Sequence, residues 1–528
     1  MAIVALGGRR AVDVPVVLLG ASMLVAAAML LPLAYLLVRA TSTGAIWDEL
    51  ATESTREALV RTGVLAAAVT AGTVAVAVPL AWLTVRTDLP LQKVWSVLFA
   101  LPLAVPSYVG AFTLVAALGP RGMLQDALEP LGIERLPEIY GFGGAWLVLT
   151  LFTFPYVYLP ARAALRGIDR SMEEAARGLG SGALSTFFRV TLPQLRPAIA
   201  AGALLVALYT LSDFGAVSIL RFDSLTRVIY IRYTSSFDRS SAAALALMLV
   251  ALTFVVLAIE ASTRGRGRHH ASSRHGAPHI VRLGRWRWPA LALCGAVAGA
   301  SLVLPVSVIV YWLVRGIQGG QSLEFVREAA FNSVYASGLG ALVAVVAAMP
   351  VALLAVRHPG WLSGLLERIT YAGFGLPGIT IALALVFFAA NYATFLYQTL
   401  ALLVFAYMVR FLPQAVGAVR ASLLQVNPNT EKAAQGLGRG RAYVFSRITL
   451  PQVLPGVSGG AALVFLTVMK ELPATLLLSP IGFDTLATEI WSATTEALFA
   501  RAALPALLLV AISSVPMIMT VLREDRGQ

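Results

Sequence analysis

About a dozen stretches of mainly apolar residues, each close to 20 residues long, run through this 528-residue chain. A helix that crosses the hydrocarbon of a bilayer needs about that length. Lipid offers the backbone no hydrogen-bond partners, so each run must satisfy its own amides and carbonyls as a helix. In the first half the runs lie near 15–40, 58–85, 94–118, 143–162, 197–220 and 241–262. In the second they lie near 289–314, 331–356, 367–391, 393–415, 456–479 and 500–522. The chain is 58% hydrophobic and only 13% charged, against roughly 25% charged in a soluble domain. The fold class these runs imply is an all-α polytopic membrane protein with about 12 transmembrane helices.

The net charge is +13, and 37 of the 40 basic residues are Arg. The Arg residues fall mostly between apolar runs, where positive charge sets topology. No basic face with interleaved aromatics points to nucleic acid. The segment 262–288, STRGRGRHHASSRHGAPHIVRLGRWRW, carries seven Arg and no acid. It reads as a cytoplasmic linker, and with six spans on either side both termini are expected on that side too. His269, His270, His275 and His279 lie in it without a nearby Cys or acid, so a flexible linker is expected there rather than a metal site. Trp286 and Trp288 fit an interfacial belt. The GGRR start followed by an apolar run of about 25 residues reads as an uncleaved first span. The single Cys294 reads as a small apolar side chain in a helix.

The two halves repeat. The run from Arg56 to Arg86 matches the run from Arg327 to Arg357, with Pro79 on Pro350, and at the same offset Pro106 falls on Pro377. FDSLTRVIY from Phe222 matches FDTLATEIW from Phe483. The expected organisation is a first six-helix module over 1–262, a basic linker over 263–288 and a second module over 289–528. An even number of spans keeps both modules in one orientation, as parallel repeats about an axis along the membrane normal, facing each other across a central path.

One polar segment is repeated more closely than the spans. EEAARGLGSGALSTFFRVTLPQ begins at Glu173 and EKAAQGLGRGRAYVFSRITLPQ at Glu431, with thirteen of 22 positions identical. Each copy predicts a short helix, with Ser171 as an N-cap in the first and Asn429 and Thr430 ahead of the second. A turn at Gly178 and Gly180, or Gly436 and Gly438, follows. A second short helix then runs to Leu192-Pro193 or Leu450-Pro451, where proline starts the way back to the membrane. A helix, a glycine turn and a helix with one narrow alanine face suit docking into a groove rather than lipid.

These residues resemble the EAA signature of binding-protein-dependent ABC importer permeases. Glu174, Ala175, Ala176, Gly180, Val190, Leu192 and Pro193 match it, with Glu173 just ahead. The second copy supplies Lys432, Ala433, Ala434, Gly438, Ile448, Leu450 and Pro451, with Glu431 just ahead, and departs at Lys432 where the signature has Glu. The resemblance implies that each loop is a coupling helix docking on one of two ATP-binding cassette subunits. It also implies an extracytoplasmic substrate-binding protein and a place in the bacterial inner membrane. TLSDFGAV from Thr210 and MKELPATLLL from Met469 are similar to segments of ferric-iron permeases. Thiamine, phosphonate, sulfate or molybdate, and polyamine remain rival cargoes on this scaffold. An ion-coupled secondary transporter is the alternative of another class.

No cofactor is expected on this chain itself. A P-loop needs Gly-Lys-Ser/Thr, and Lys93, Lys432 and Lys470 all lack a preceding Gly, so ATP and magnesium are expected on the partner subunit. Asp213, after Ser212, is placed some 16 residues into the fifth span, and Glu471, beside Lys470, occupies the same place in the eleventh. Ionisable groups inside a span face a cavity or a partner. Ser212, Asp213, Lys470 and Glu471 are therefore expected to line or gate the translocation path. Gly215 and Pro473 are expected to loosen each helix just beyond.

Overall fold

The computed structural model describes residues 15–42, 45–120, 122–132, 137–168, 170–235, 239–263 and 280–526. The four linker histidines lie outside these. Among the described residues ten helices are long and apolar enough to cross a bilayer, and up to twelve if each of two bent pairs is one span. The chain is a multi-pass membrane protein.

The helices of the first half are α1 (Val16–Ser42), α2 (Glu53–Arg86), α3 (Gln92–Ala100), α4 (Ser107–Leu118), α5 (Phe142–Gly167), α6 (Arg170–Gly178), α7 (Phe187–Ser212), α8 (Gly215–Ile219), α9 (Leu225–Thr234) and α10 (Arg239–Thr263). Those of the second are α11 (Gly284–Gln318), α12 (Glu324–Arg357), α13 (Trp361–Gly375), α14 (Gly378–Tyr392), α15 (Leu400–Gln425), α16 (Pro428–Gly436), α17 (Ala442–Met469), α18 (Pro473–Leu478), α19 (Leu486–Thr495) and α20 (Phe499–Arg526).

Three features depart from straight spans. The third and ninth runs are bent pairs, and α13 meets α14 at 104°. Pro106 and Pro377 stand at the two bends with extended backbone. Proline has no N–H to donate and pushes the residue before it out of the helical region, and Val105 and Leu376 are extended accordingly. The fifth and eleventh runs stop early, at Ser212 and Met469, and resume as α8 and α18. The Leu-Pro pairs, in contrast, do not interrupt their helices. Phe187–Thr191 and Phe445–Thr449 form a widened π turn, closed by the Leu192 and Leu450 amides on the Phe187 and Phe445 carbonyls. The π turn absorbs the register change ahead of each proline, so the helix enters the span unbroken. Ser171 lies within the first turn of α6, not at its cap.

The compact units divide the chain differently from the sequence repeats. One unit holds Met1–Ile46 and Glu328–Thr485, the other Trp47–Arg327 and Leu486–Gln528. In the first of these, α1 packs on α13 and α14, and α15 packs along α17. Ala26 of α1 shares an apolar cluster with Leu354 and Leu366. In the other, α2, α5 and α7 pack mutually, while α11 packs on α4 and α20. There Ala116, Ala117 and Val308 form a cluster flanked by Trp312 and Phe499.

Close packing rests on glycines at matched places. A Cβ on Gly202 of α7 would come 2.6 Å from the Tyr156 carbonyl oxygen and 2.7 Å from the Val157 Cα. A Cβ on Gly460 of α17 would strike the Ala418 Cβ of α15. Small residues let membrane helices approach this closely. Gly202→Val and Gly460→Val are each expected to destabilise the detergent-solubilised protein by about 1–3 kcal/mol. The thermal midpoint should drop for both. Gly63→Ala, at a position with open space around it, should leave it within error.

Candidate functional site

The repeated segment forms the same structure twice. Helix α6 ends in a left-handed glycine, Gly180 at φ +85°, and the Ser181 amide closes the turn on the Ala176 carbonyl at 3.1 Å. Helix α16 ends in Gly438 at φ +80°, with the Arg439 amide on the Ala434 carbonyl at 3.2 Å and the Gly438 amide on the Gln435 carbonyl at 3.0 Å. Glycine meets this conformation at no steric cost, and the wrapped amides satisfy the last carbonyls of the helix. The Asn427 side chain accepts the Asn429 amide at 3.0 Å and caps α16, ahead of the Asn429 and Thr430 that the sequence suggested.

Exposure sorts the residues of each loop. Glu174, Ala175, Lys432 and Ala433 are exposed, Ala176 is half-buried and Ala434 is buried. At the tips Leu179 is 88% exposed and Leu437 is 82% exposed. Each tip thus presents one large apolar side chain at the equivalent place of the repeat.

The first glutamate of each copy points inward. Glu173 is buried, with its Oε1 3.5 Å from Arg86 Nη2 and accepting Thr191 Oγ1 at 2.9 Å. Glu431 Oε1 accepts Arg357 Nη2 at 2.8 Å and Thr449 Oγ1 at 2.8 Å. The two glutamates that adjoin in sequence thus have different surroundings, Glu173 within the chain and Glu174 at the surface. Helical phase allowed that separation, but the partners Arg86 and Arg357 lie at the ends of distant helices. Leu192-Pro193 and Leu450-Pro451 follow directly, at the mouths of α7 and α17.

The charges placed inside the fifth and eleventh spans stand at the breaks. Asp213 follows the last turn of α7 in extended conformation. Its Oδ1 accepts the Ala216 amide at 3.0 Å and the Val217 amide at 3.3 Å. Ser107 Oγ donates to its Oδ2, and Thr226 Oγ1 donates to its carbonyl at 2.6 Å. Asp213 therefore caps α8 rather than sitting mid-span, and Gly215 opens the new helix instead of loosening the old one. Ser212, the last residue of α7, is half-buried.

Glu471 stands between α17 and α18 in the same way, with its Oε1 3.3 Å from the Ala474 amide. Thr475 Oγ1 donates to its carbonyl at 2.7 Å, and the Thr475 and Tyr407 hydroxyls meet at 2.7 Å. Arg410 Nε lies 3.0 Å from Glu471 Oε2, and Arg410 Nη1 also donates to the Leu376 carbonyl at 3.3 Å. Lys470, half-buried, follows the last residue of α17. A small chamber beside Glu471 is lined by Ser333, Ser337, Tyr407, Thr475 and Thr485.

The repeat explains how the two acids came to differ. Gly378 occupies the place of Ser107, and a Cβ there would meet Glu471 Oε1 at 2.5 Å and the Arg410 guanidinium at 2.9–3.0 Å. Phe152 occupies the place of Arg410, and its ring fills the space a Cβ on Gly110 would need. So Asp213 is held by a hydroxyl and backbone amides, while Glu471 is neutralised by a guanidinium. Sequence reasoning missed Arg410, Ser107 and Gly378. Arg410 could have been found as a charge inside an apolar run, by the argument that singled out Asp213.

Residues 63–262 and 339–526 match the family model described as binding-protein-dependent transport system inner membrane component. The chain is 36% identical over 494 residues to the Fe(3+)-transport system permease protein FbpB 2 of Haemophilus influenzae, covering 92% of this chain and 94% of that protein. It is 23% identical over 411 residues to the ferric transport system permease protein FbpB of Actinobacillus pleuropneumoniae, covering 73% of this chain and 59% of that one. The molybdenum transport system permease protein ModB of Escherichia coli is 32% identical over 186 residues, 34% of this chain and 80% of its own length.

Removing one partner of a buried ion pair strands the other, at a cost of about 3–5 kcal/mol, whereas replacing both by apolar groups is close to neutral. Arg410→Leu is thus expected to lower the thermal midpoint sharply. Adding Glu471→Gln to it, which removes the charge but keeps an acceptor for the Ala474 amide, should restore most of the loss. Equal destabilisation by the single and double variants would show that the pair does not govern this break.

Proposed function

Because the chain belongs to the family of binding-protein-dependent transport system inner membrane components, we propose that it is the permease subunit of an ATP-driven importer whose cargo is ferric iron. The observation that carries the ATP-driven part is the pair of matched loops. Each presents an exposed leucine and one exposed alanine on a glycine-closed turn. An apolar knob on a rigid turn is what a protein groove takes up. In this reading Glu174 to Gly180 and Lys432 to Gly438 each dock on one ATP-binding cassette subunit, on the cytoplasmic side. ATP and magnesium are bound there and not on this chain. A substrate-binding protein delivers cargo on the opposite side. Lys432, opposite in sign to Glu174, gives the second contact a different charge.

Iron is favoured over molybdate because the iron relative aligns over nearly the whole of both chains, whereas the molybdenum relative spans 34% of this one. An ion-gradient transporter would also use broken helices and buried charges, but two matched docking turns have no place in it.

Ser212, Asp213, Lys470 and Glu471 are assigned to the translocation path or its gate. Irregular backbone at membrane depth is tolerated where it is buried in protein or lines a cavity. The two acids are unequal in this role. The Arg410 guanidinium cancels the Glu471 charge, so Asp213 is the group suited to attract a hard cation through oxygen. Asp213→Asn should lower iron uptake while leaving the ATPase subunit bound, and unchanged uptake would remove Asp213 from the path.

The docking reading is tested by affinity purification from native membranes with this chain as bait. An ATP-binding cassette subunit should co-purify. Glu174→Arg and, separately, Leu179→Asp should each cut its recovery by about tenfold. Full recovery with both variants would contradict docking through the first loop.

A further inference from the structure

Each docking loop is tied to the chain by three residues that are far apart in sequence. In one unit Arg86 ends the long helix α2, Glu173 lies in the first turn of α6, and Thr191 closes the π turn that leads into α7. All three are buried. One carboxylate oxygen of Glu173 serves both partners. In the other unit Arg357 of α12, Glu431 of α16 and Thr449 of α17 repeat the arrangement, again through one oxygen. The arginines are 271 positions apart, the glutamates and threonines 258. The offset changes because the two copies differ in length between these segments, and the fold brings the same three residues together in each copy.

We infer that Arg86 and Arg357 are positioning residues for coupling: each locks its loop, through the inward glutamate, to the end of a long spanning helix. A push on the loop from a docked subunit then reaches α2 or α12 as well as α7 or α17. This rests on the docking function proposed above. Stability alone gives little reason to keep such a group, since a buried ion pair is often no better than apolar side chains of the same volume. What it supplies is direction and register, because the ion pair and the threonine hydroxyl together fix one carboxylate oxygen of the loop against the end of a long helix. The neighbouring outward position has changed from Glu174 to Lys432, while the inward glutamate is the same in both copies.

The first clamp is the more enclosed of the two. The Arg86 carbonyl accepts the Val281 amide at 2.8 Å, the Asp88 amide donates to the Val281 carbonyl at 3.2 Å, and the Asp88 side chain accepts the Leu283 amide at 2.8 Å. The end of the segment that joins the two halves is thus strapped over the first clamp. Arg86 is 3% exposed at its side chain, and Arg357 is 18% exposed.

The test uses the full chain reconstituted in lipid vesicles with its ATPase subunit and binding protein, reading iron transported per ATP hydrolysed together with the amount of ATPase subunit retained. Arg357→Met with Glu431→Met removes the clamp without leaving a stranded charge. Transport per ATP is expected to fall about tenfold, within the range of coupling between sites, with the ATPase subunit still bound. The charge-swapped chain, Arg357→Glu with Glu431→Arg, should recover part of the ratio, which a general loss of folding would not allow. An unchanged ratio in the double Met variant would overturn the inference, as would loss of the ATPase subunit from it, which would make these residues part of the docking surface. Absence of ATP-driven iron uptake by the unaltered chain in the same vesicles would instead count against the proposed function.

Discussion

Every backbone amide and carbonyl at membrane depth must find a partner within the protein, and the two breaks at Asp213 and Glu471 show how this chain meets that demand. Each break frees amides at the start of the next short helix, and Asp213 accepts two of them and Glu471 one. Each break also frees a carbonyl, taken by the hydroxyl of Thr226 or Thr475. The acids serve structure and charge together. The charge must then be settled locally, by Ser107 and amides in one unit and by Arg410 in the other. Gly378 follows from this choice, because any side chain there would collide with the ion pair.

The duplication kept its constraints and let the rest drift. The left-handed glycines, the prolines after the π turns, the inward glutamates and their arginines recur in both halves. Positions that face outward or into a unit's own core have diverged. Glu174 became Lys432, and Phe152 stands where Arg410 now lies. Such a pattern fits a machine with two equivalent inputs whose interior need not be symmetric.

Much of this was legible in the sequence. The spans could be read because length and apolarity follow directly from the thickness of a bilayer. The helix and glycine turn of each repeated loop could be read because glycine, proline and alanine have local conformational meaning. The early ends of α7 and α17 could not be read, since each depends on a carboxylate meeting amides further along the chain, in a place built by other helices. The continuous helix through Leu192-Pro193 was hidden for a related reason, a π turn being a response to proline that composition does not announce. Nor does an apolar span name its neighbour. The packing of α1 with residues of the second half, and of α11 and α20 with those of the first, comes from tertiary fit alone. Glu173 was identified but its inward direction was not, because its partner Arg86 lies 87 residues earlier.

The central claim is that ATP, acting through two docked subunits, drives iron across the membrane by way of this chain. Radioactive iron accumulation in vesicles that hold the chain, its ATPase subunit and its binding protein tests that claim most directly. The account predicts accumulation that requires hydrolysable ATP and the ATPase subunit, and that survives collapse of the proton gradient. Accumulation without the ATPase subunit, rising and falling with the proton gradient, would contradict it.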